Sequence, residues 1–128
     1  MKVLFDSHAL VWFLLGDARV PERVRKSLEQ PETELVVSAA SIWEIATKAR
    51  LGRWPQGETV MANLHAVLAT SAYSSLPITI EHARIAGFLP WHHRDPFDRI
   101  LAAQSQIEGL PLVSADRAFA EFGITVMW

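Results

Sequence analysis

Five short apolar runs, separated by helix-like sequence, constrain this chain more than any other feature. KVLF (2–5), ELVVS (34–38), LPIT (76–79), LPLVS (110–114) and ITVMW (124–128) have the length and the apolar, β-branched content of strands. Between them lie HALVWFLL, ended by Gly16-Asp17, then PERVRKSLEQ, opened by Pro21, and the longer ASIWEIATKAR, ended by Gly52. A loop with Trp54, Pro55 and Gly57 leads to a helix from about Glu58 to Ala69; EHARIAGF, a helix over 96–108 stopped at Gly109, and a short RAFAEF complete the series. Strands alternating with helices predict a parallel sheet covered by helices on both faces. Right-handed crossovers then bring every strand-to-helix junction to one edge of that sheet.

The chain is 128 residues, half of them hydrophobic and 20% charged, so it is long enough to bury a core as one domain spanning 1–128. It has no cysteine, which excludes a disulfide scaffold and thiolate metal ligands and suits a reducing cytoplasm. The opening MKVLFDSHALVWFLLG faintly imitates a signal peptide, but Asp6 and His8 interrupt it and it is too short to span a bilayer. No membrane association is expected. The formal charge is −2, with 12 Lys+Arg against 14 Asp+Glu, which argues against holding nucleic acid by charge alone.

The acids stand at the junctions. Asp6 follows the first strand, Glu44 lies in the first turns of the helix after the second, Asp98 in the first turn of the 96–108 helix, and Asp116 just past LPLVS. Ligands of open α/β sheets bind beyond the carboxyl ends of strands, where these four would meet. Each also has a structural reading. Asp6 and Asp116 suit N-caps. Glu44 completes a capping box with Ser41, stands four residues before Lys48 as a surface ion pair, and falls on the helix side expected to be solvated. Asp95, followed by Pro96, is a good N-cap for the 96–108 helix, whose dipole Asp98 also suits. Crowded carboxylates repel, and a hard divalent cation relieves that cost. Oxygen ligands without cysteine or ordered histidines favour Mg²⁺ or Mn²⁺ over Zn²⁺, and such a cluster equips a protein for metal-assisted phosphodiester hydrolysis.

The strings FDSHALVW, VSAASIWEIATKARLG, LPITIEHA, HRDPFDRILAAQS and LPLVSADRAF occur in an order that resembles the PIN-domain ribonucleases, specifically the toxin component of VapBC-type toxin–antitoxin modules. The resemblance covers nearly the whole chain and implies a three-layer α/β/α sandwich with a central, mainly parallel sheet. It also implies Mg²⁺- or Mn²⁺-dependent endonuclease cleavage of RNA, a small antitoxin that inhibits the site, a homodimer and a cytoplasmic location. Carried over by motif, the metal-binding acids are Asp6, Glu44, Asp98 and Asp116. Asp95 matches a position common in this branch, as ligand or helix cap. Ser7 and Ser114 stand where related sequences often carry Thr, and Ser114 is placed to orient a water or Asp116.

In this reading one or two ions polarise the phosphate, and Glu44 is either a ligand through water or the base. Arg99, about 100° around the helix from Asp98, is expected to neutralise the cluster's rim or meet a phosphate or antitoxin. His8, His92 and His93 are left out of the site. Trp12 and Trp43 are expected in the core, whereas Trp54 and Trp91, in loops near Arg53 and Arg94, can stack on bases or pack at the rim. Lys48, Arg50 and Arg53 form the best basic patch, and the apolar helices VWFLL and PERVRKSLEQ offer a dimer or antitoxin face. The alternative is a catalytically inactive PIN-like module that binds RNA or a partner, against which the intact acids argue. An aspartyl-phosphate phosphatase fails, because its nucleophilic Asp needs an acid two residues on and Asp6 is followed by Ser7 and His8.

Overall fold

The computed structural model describes residues 1–128. In chain order the elements are β1 (Lys2–Phe5), α1 (Ser7–Leu14), α2 (Glu22–Leu28), β2 (Glu34–Ser38), α3 (Ala39–Arg50), α4 (Pro55–Ala62), α5 (Leu64–Leu68), β3 (Tyr73–Leu76), α6 (Ile80–Phe88), α7 (Pro96–Glu108), β4 (Leu112–Val113), a 3-10 turn (Arg117–Phe122) and β5 (Val126–Met127). The five strands form one sheet in the order β3-β2-β1-β4-β5, every pair parallel.

Alternation along the strands divides the core into two layers. Val3 and Phe5 of β1, Leu35 and Val37 of β2 and Val113 of β4 pack against α1, α2, Ile45 of α3 and Val60 of α4. The intervening Leu4, Val36 and Leu112 face Leu101 and Ala102 of α7 together with Phe119 and Ile124. Successive side chains of a strand point to opposite faces, so strands this apolar require helices on both sides. The result is the three-layer α/β/α sandwich.

The elements differ from the expected ones where local sequence is ambiguous. The third strand is Tyr73–Leu76 rather than 76–79, because its partner β2 supplies the ladder only that far, Ser38 pairing with Leu76. The helix expected over 58–69 is two, α4 beginning at Pro55 and α5 following Asn63. Gly57 lets α4 close on α3: a Cβ there would meet Ile45 Cγ2 at 3.0 Å and the Trp54 ring at 3.3 Å. Gly109 does stop α7, in the left-handed conformation that glycine adopts without strain.

The expected partner face on α1 and α2 is largely taken up by the core, with Leu15 alone of VWFLL left 40% exposed. Val11, Val24 and Leu28 are buried, and Trp12, Phe13 and Leu14 pack against the first core layer. The most exposed large apolar side chains lie elsewhere, at Ile80, Phe88 and Trp43. No helix is long and apolar enough to cross a membrane.

Candidate metal centre

The strand order reverses direction between β1 and β4, since β2 and β3 lie to one side and β4 and β5 to the other. Such a switch point opens a crevice at the carboxyl ends of the two central strands. Asp6 leaves β1 there, and Ser114 and Asp116 leave β4. The cleft that includes Asp6, His8, Trp12 and Asp116 has a volume of about 410 Å³.

Asp6 is buried and doubly held. Its Oδ1 accepts the Ala9 amide hydrogen at 2.7 Å, which caps α1, and Ser114 Oγ donates to its Oδ2. Burial pushes the Asp6 carboxyl up from 3.8 to about 6; the Ser114 and Ala9 donors oppose this, while Glu44 and Asp116 add to it. The hydroxyl of Ser114 is therefore spent on Asp6, and it also accepts the Asp116 amide hydrogen at 3.0 Å. Asp116 is exposed and caps the 3-10 turn through the Ala118 amide at 2.9 Å.

Glu44 departs from its expected setting. It is 3% exposed, because the inward stripe of α3 is Ala40, Ser41, Glu44 and Ile45 and not the purely apolar one. Ser7 Oγ donates to its Oε1 at 2.5 Å, and Lys48 Nζ pairs with its Oε2 at 2.6 Å. The i,i+4 pair exists, then, but at the wall of the cleft. The expected capping box does not form: Ser38 caps α3 through the Ala40 amide, and Ser41 Oγ donates to the Phe5 carbonyl.

Asp95 caps α7, accepting the Phe97 amide at 2.8 Å and the Asp98 amide at 3.4 Å. Asp98, one turn along the rim, projects toward the cluster. Burial is the largest cause that raises its carboxyl from 3.8 to about 7, followed by the charges of Asp95, Glu44, Asp6 and Asp116. These four acids all lie within electrostatic reach of Asp98. Ionisation of both the Asp6 and the Asp98 carboxyl is thus made costly, as expected of carboxylates gathered in a cleft. The donor set of oxygens, with three Asp side chains and no thiolate, fits Mg²⁺ or Mn²⁺. Oxygens of Asp98 and Asp116 and Nε2 of His93 lie within 4.8 Å of one another.

Two expectations are reversed. Arg99 does not serve the rim of the cluster. Its Nε donates to Ala86 O, its NH1 to Trp91 O and His93 O, and its NH2 to Gly87 O and Leu89 O, at 2.8 to 3.3 Å. All five hydrogens of the guanidinium end on backbone carbonyls of the segment before α7, so none remains for a phosphate. Trp43, expected in the core, is 59% exposed and meets Phe97 edge-on at 4.8 Å. Trp54 and Trp91, for which the sequence leaves base stacking and packing both open, are each 9% exposed, Trp91 packing on Phe119 and Phe122. Trp54 carries His8 on its ring at 4.6 Å. Burial, then Lys48, lowers the affinity of His8 for a proton, opposed by Glu44 and Asp95.

Sequence reasoning missed His93, which lies 3.0 Å from Asp98 Oδ2. Its proximity to Asp98 depends on the fold of the loop, and two adjacent histidines in a Pro-Trp segment carried no local signal. His92 beside it is exposed.

The PIN domain family matches residues 3–124. Among solved structures, VapBC2 from Rickettsia felis bound to a DNA fragment from its promoter aligns with a TM-score of 0.71 at 14% identity, covering 99% of this chain and 98% of that one. FitAcB from Neisseria gonorrhoeae aligns with a TM-score of 0.62 at 18% identity, covering 100% and 97%. At such identities the likeness is one of fold. Among curated proteins no match to the chain was found.

Proposed function

The chain belongs to the PIN domain family, and from that premise we propose that it is a Mg²⁺- or Mn²⁺-dependent endoribonuclease of the VapC toxin type, inhibited by a cognate antitoxin. The observation that carries this reading is the convergence of Asp6, Glu44, Asp98 and Asp116, from four separate segments, on the switch point between β1 and β4. PIN domains are in general nucleases, and the likeness to VapBC2 and FitAcB supports the toxin–antitoxin assignment. Residues 1–128 are read as one such domain acting in the cytoplasm.

Asp6, Asp98 and Asp116 are the residues that would hold the cation. When bound, the ion supplies Lewis-acid polarisation of a phosphate oxygen and a water of lowered pKa. The remaining work falls to the chain. The Ala9 amide and Ser114 hydroxyl fix the Asp6 carboxylate while leaving each oxygen a lone pair. Ser7 and Lys48 hold the Glu44 carboxylate in the same way, and Glu44 acts as a ligand through water or as the base. Asp95 is a helix cap in this reading. Lys48, Arg50 and Arg53, at the end of α3, give a net acidic chain a local attraction for the RNA backbone. Exposed Ile80, Phe88 and Trp43 are candidate contacts for an antitoxin or for the second subunit of a homodimer.

The test is cleavage of end-labelled structured RNAs with Mg²⁺ or Mn²⁺, with EDTA, and by Asp98→Asn. Discrete metal-dependent cuts lost in the variant are expected. Metal binding that depends on Asp98, without cleavage of any RNA, would favour the non-cutting binding module instead.

A further inference from the structure

The loop between α6 and α7 brings a histidine to the acid cluster with one ring nitrogen already committed. His93 Nδ1 accepts a hydrogen bond from the Asp95 amide at 3.2 Å. A neutral imidazole has one N–H and one lone pair in the ring plane, and the nitrogen that accepts is the one without hydrogen. The hydrogen therefore sits on Nε2, the atom 3.0 Å from Asp98 Oδ2. What His93 presents to the cluster is an N–H and not a lone pair.

This decides between two roles that the distances alone permit. Nε2 is near enough to Asp98 and Asp116 to share a cation with them. To do so it must give up its hydrogen, and the neutral ring would then carry that hydrogen on Nδ1. There it would confront the Asp95 N–H, replacing a hydrogen bond by two opposed donors at the cap of α7. We propose that His93 is a positioning residue that turns its Nε2–H toward the Asp98 carboxylate and does not ligate the metal. The part that Asp98 plays rests on the metal-nuclease reading above; the tautomer does not.

The surroundings hold the ring in that register. The His93 carbonyl is one of the five acceptors of Arg99, at 3.1 Å, and Trp91 lies against the imidazole with ring centroids 4.6 Å apart. Trp91 is in turn buried against Phe119 and Phe122, and its own carbonyl accepts from Arg99 at 3.0 Å. The loop is thus tied to α7 by charge-assisted hydrogen bonds and to the second core layer by an aromatic anchor.

The experiment is nitrogen-15 spectroscopy of the full chain labelled at histidine, at about pH 8, where an ordinary imidazole is neutral. It is run without metal and then with Mg²⁺, with His93→Gln supplying the assignment. The expected result is a protonated, pyrrole-type Nε2 and a lone-pair-type Nδ1 for His93 in both states. A hydrogen on Nδ1, or loss of the Nε2 hydrogen when Mg²⁺ is added, would overturn the proposal. Mn²⁺ binding provides a second readout. His93→Ala should raise the Mn²⁺ Kd about tenfold, as removal of an outer-shell partner does, and His93→Gln, which restores an N–H donor, should recover most of it. Equal losses in both variants, or none in His93→Ala, would refute the positioning role. RNA cleavage by the unaltered chain reports on the nuclease reading separately, since the metal-free tautomer is measured whether or not RNA is cut.

Discussion

Replacing Asp98 by asparagine should make the metal-free protein more stable at alkaline pH, although it removes a residue of the proposed site. In the native state the Asp98 carboxyl is pushed up from 3.8 to about 7, first by burial and then by four neighbouring acids. The folded form therefore binds this proton more tightly than the unfolded chain. Stability contributed by the protonated group is present below the unfolded value and is lost as pH rises through the folded one. The window runs from about 4 to about 7. A shift of roughly three units at about 1.36 kcal/mol each sets a ceiling of about 4 kcal/mol on that loss. The Asp98 side chain is 20% exposed, so screening trims this only partly.

Asparagine keeps the shape and loses the charge. Its cost is the favourable term of a negative charge in the first turn of α7, about 0.5 kcal/mol, and the charge-assisted part of the hydrogen bond from His93 Nε2, about 1 kcal/mol, since the amide oxygen still accepts it. The net expectation is that Asp98→Asn stabilises the metal-free protein by about 2–3 kcal/mol at about pH 8, and by little or nothing near pH 4. Urea melts in EDTA at the two pH values, read as the difference between variant and parent, report this group together with the relief that its loss gives to the acids it repels. Saturating Mg²⁺ should then stabilise the parent and leave the variant nearly unchanged. A variant less stable than the parent at alkaline pH without metal would refute the reasoning, because the hydrogen bond from His93 would then outweigh the burial and crowding of the Asp98 carboxylate.

Arg99→Lys should cost about 2–3 kcal/mol, since three donors on a flexible stem cannot replace a five-donor plane; faster amide exchange confined to 86–93 would identify the cause, and a melt unchanged within error would contradict it. Gly57→Ala sets a helix-propensity gain of about 1 kcal/mol against overpacking on Ile45 and Trp54. Overpacking costs about 1–3 kcal/mol, so a net loss in Tm is expected, and a gain would mean that α4 can slide away from α3. Leu101→Ala, at a fully buried position facing Leu4 and Leu112, should cost about 3 kcal/mol in chemical denaturation; a loss below about 1 kcal/mol would show that α7 collapses into the space.

Several features of the site were legible because they are local. Asp6, Asp95 and Asp116 each sit where a strand or loop turns into helical structure, and capping follows from the residue type and its immediate neighbours. Alternation of apolar runs with helical stretches likewise sufficed for a sheet clothed on both faces, because parallel strands need long crossovers. Other features had no local mark. Glu44 lies on a stripe where polar and apolar residues alternate, so hydrophobic periodicity pointed its side chain to solvent. Its burial comes with Ser7 of α1 meeting it from across the cleft and Lys48 folding over it from the next turn of α3. Trp43 lies in a helical stretch and Trp54 and Trp91 in loops, yet it is the loop pair that is covered, because that depends on how α4 and the 3-10 turn pack over the sheet.

Propensity, capping and the period of apolar residues set most of the strands and helices, though not the bounds of β3 or the break between α4 and α5, and they put the acids at the junctions. That β1 lies beside β4, which brings Asp6 to Asp116, and that α3 and α7 pack so as to carry Glu44 and Asp98 toward them, is set by tertiary packing alone. Hydrogen bonds between Leu4 and Pro111 and between Asp6 and Val113 span more than a hundred residues, and no window of sequence contains both partners. The same holds for Arg99, whose charge is consumed by a loop that becomes an acceptor only once it has folded around the guanidinium.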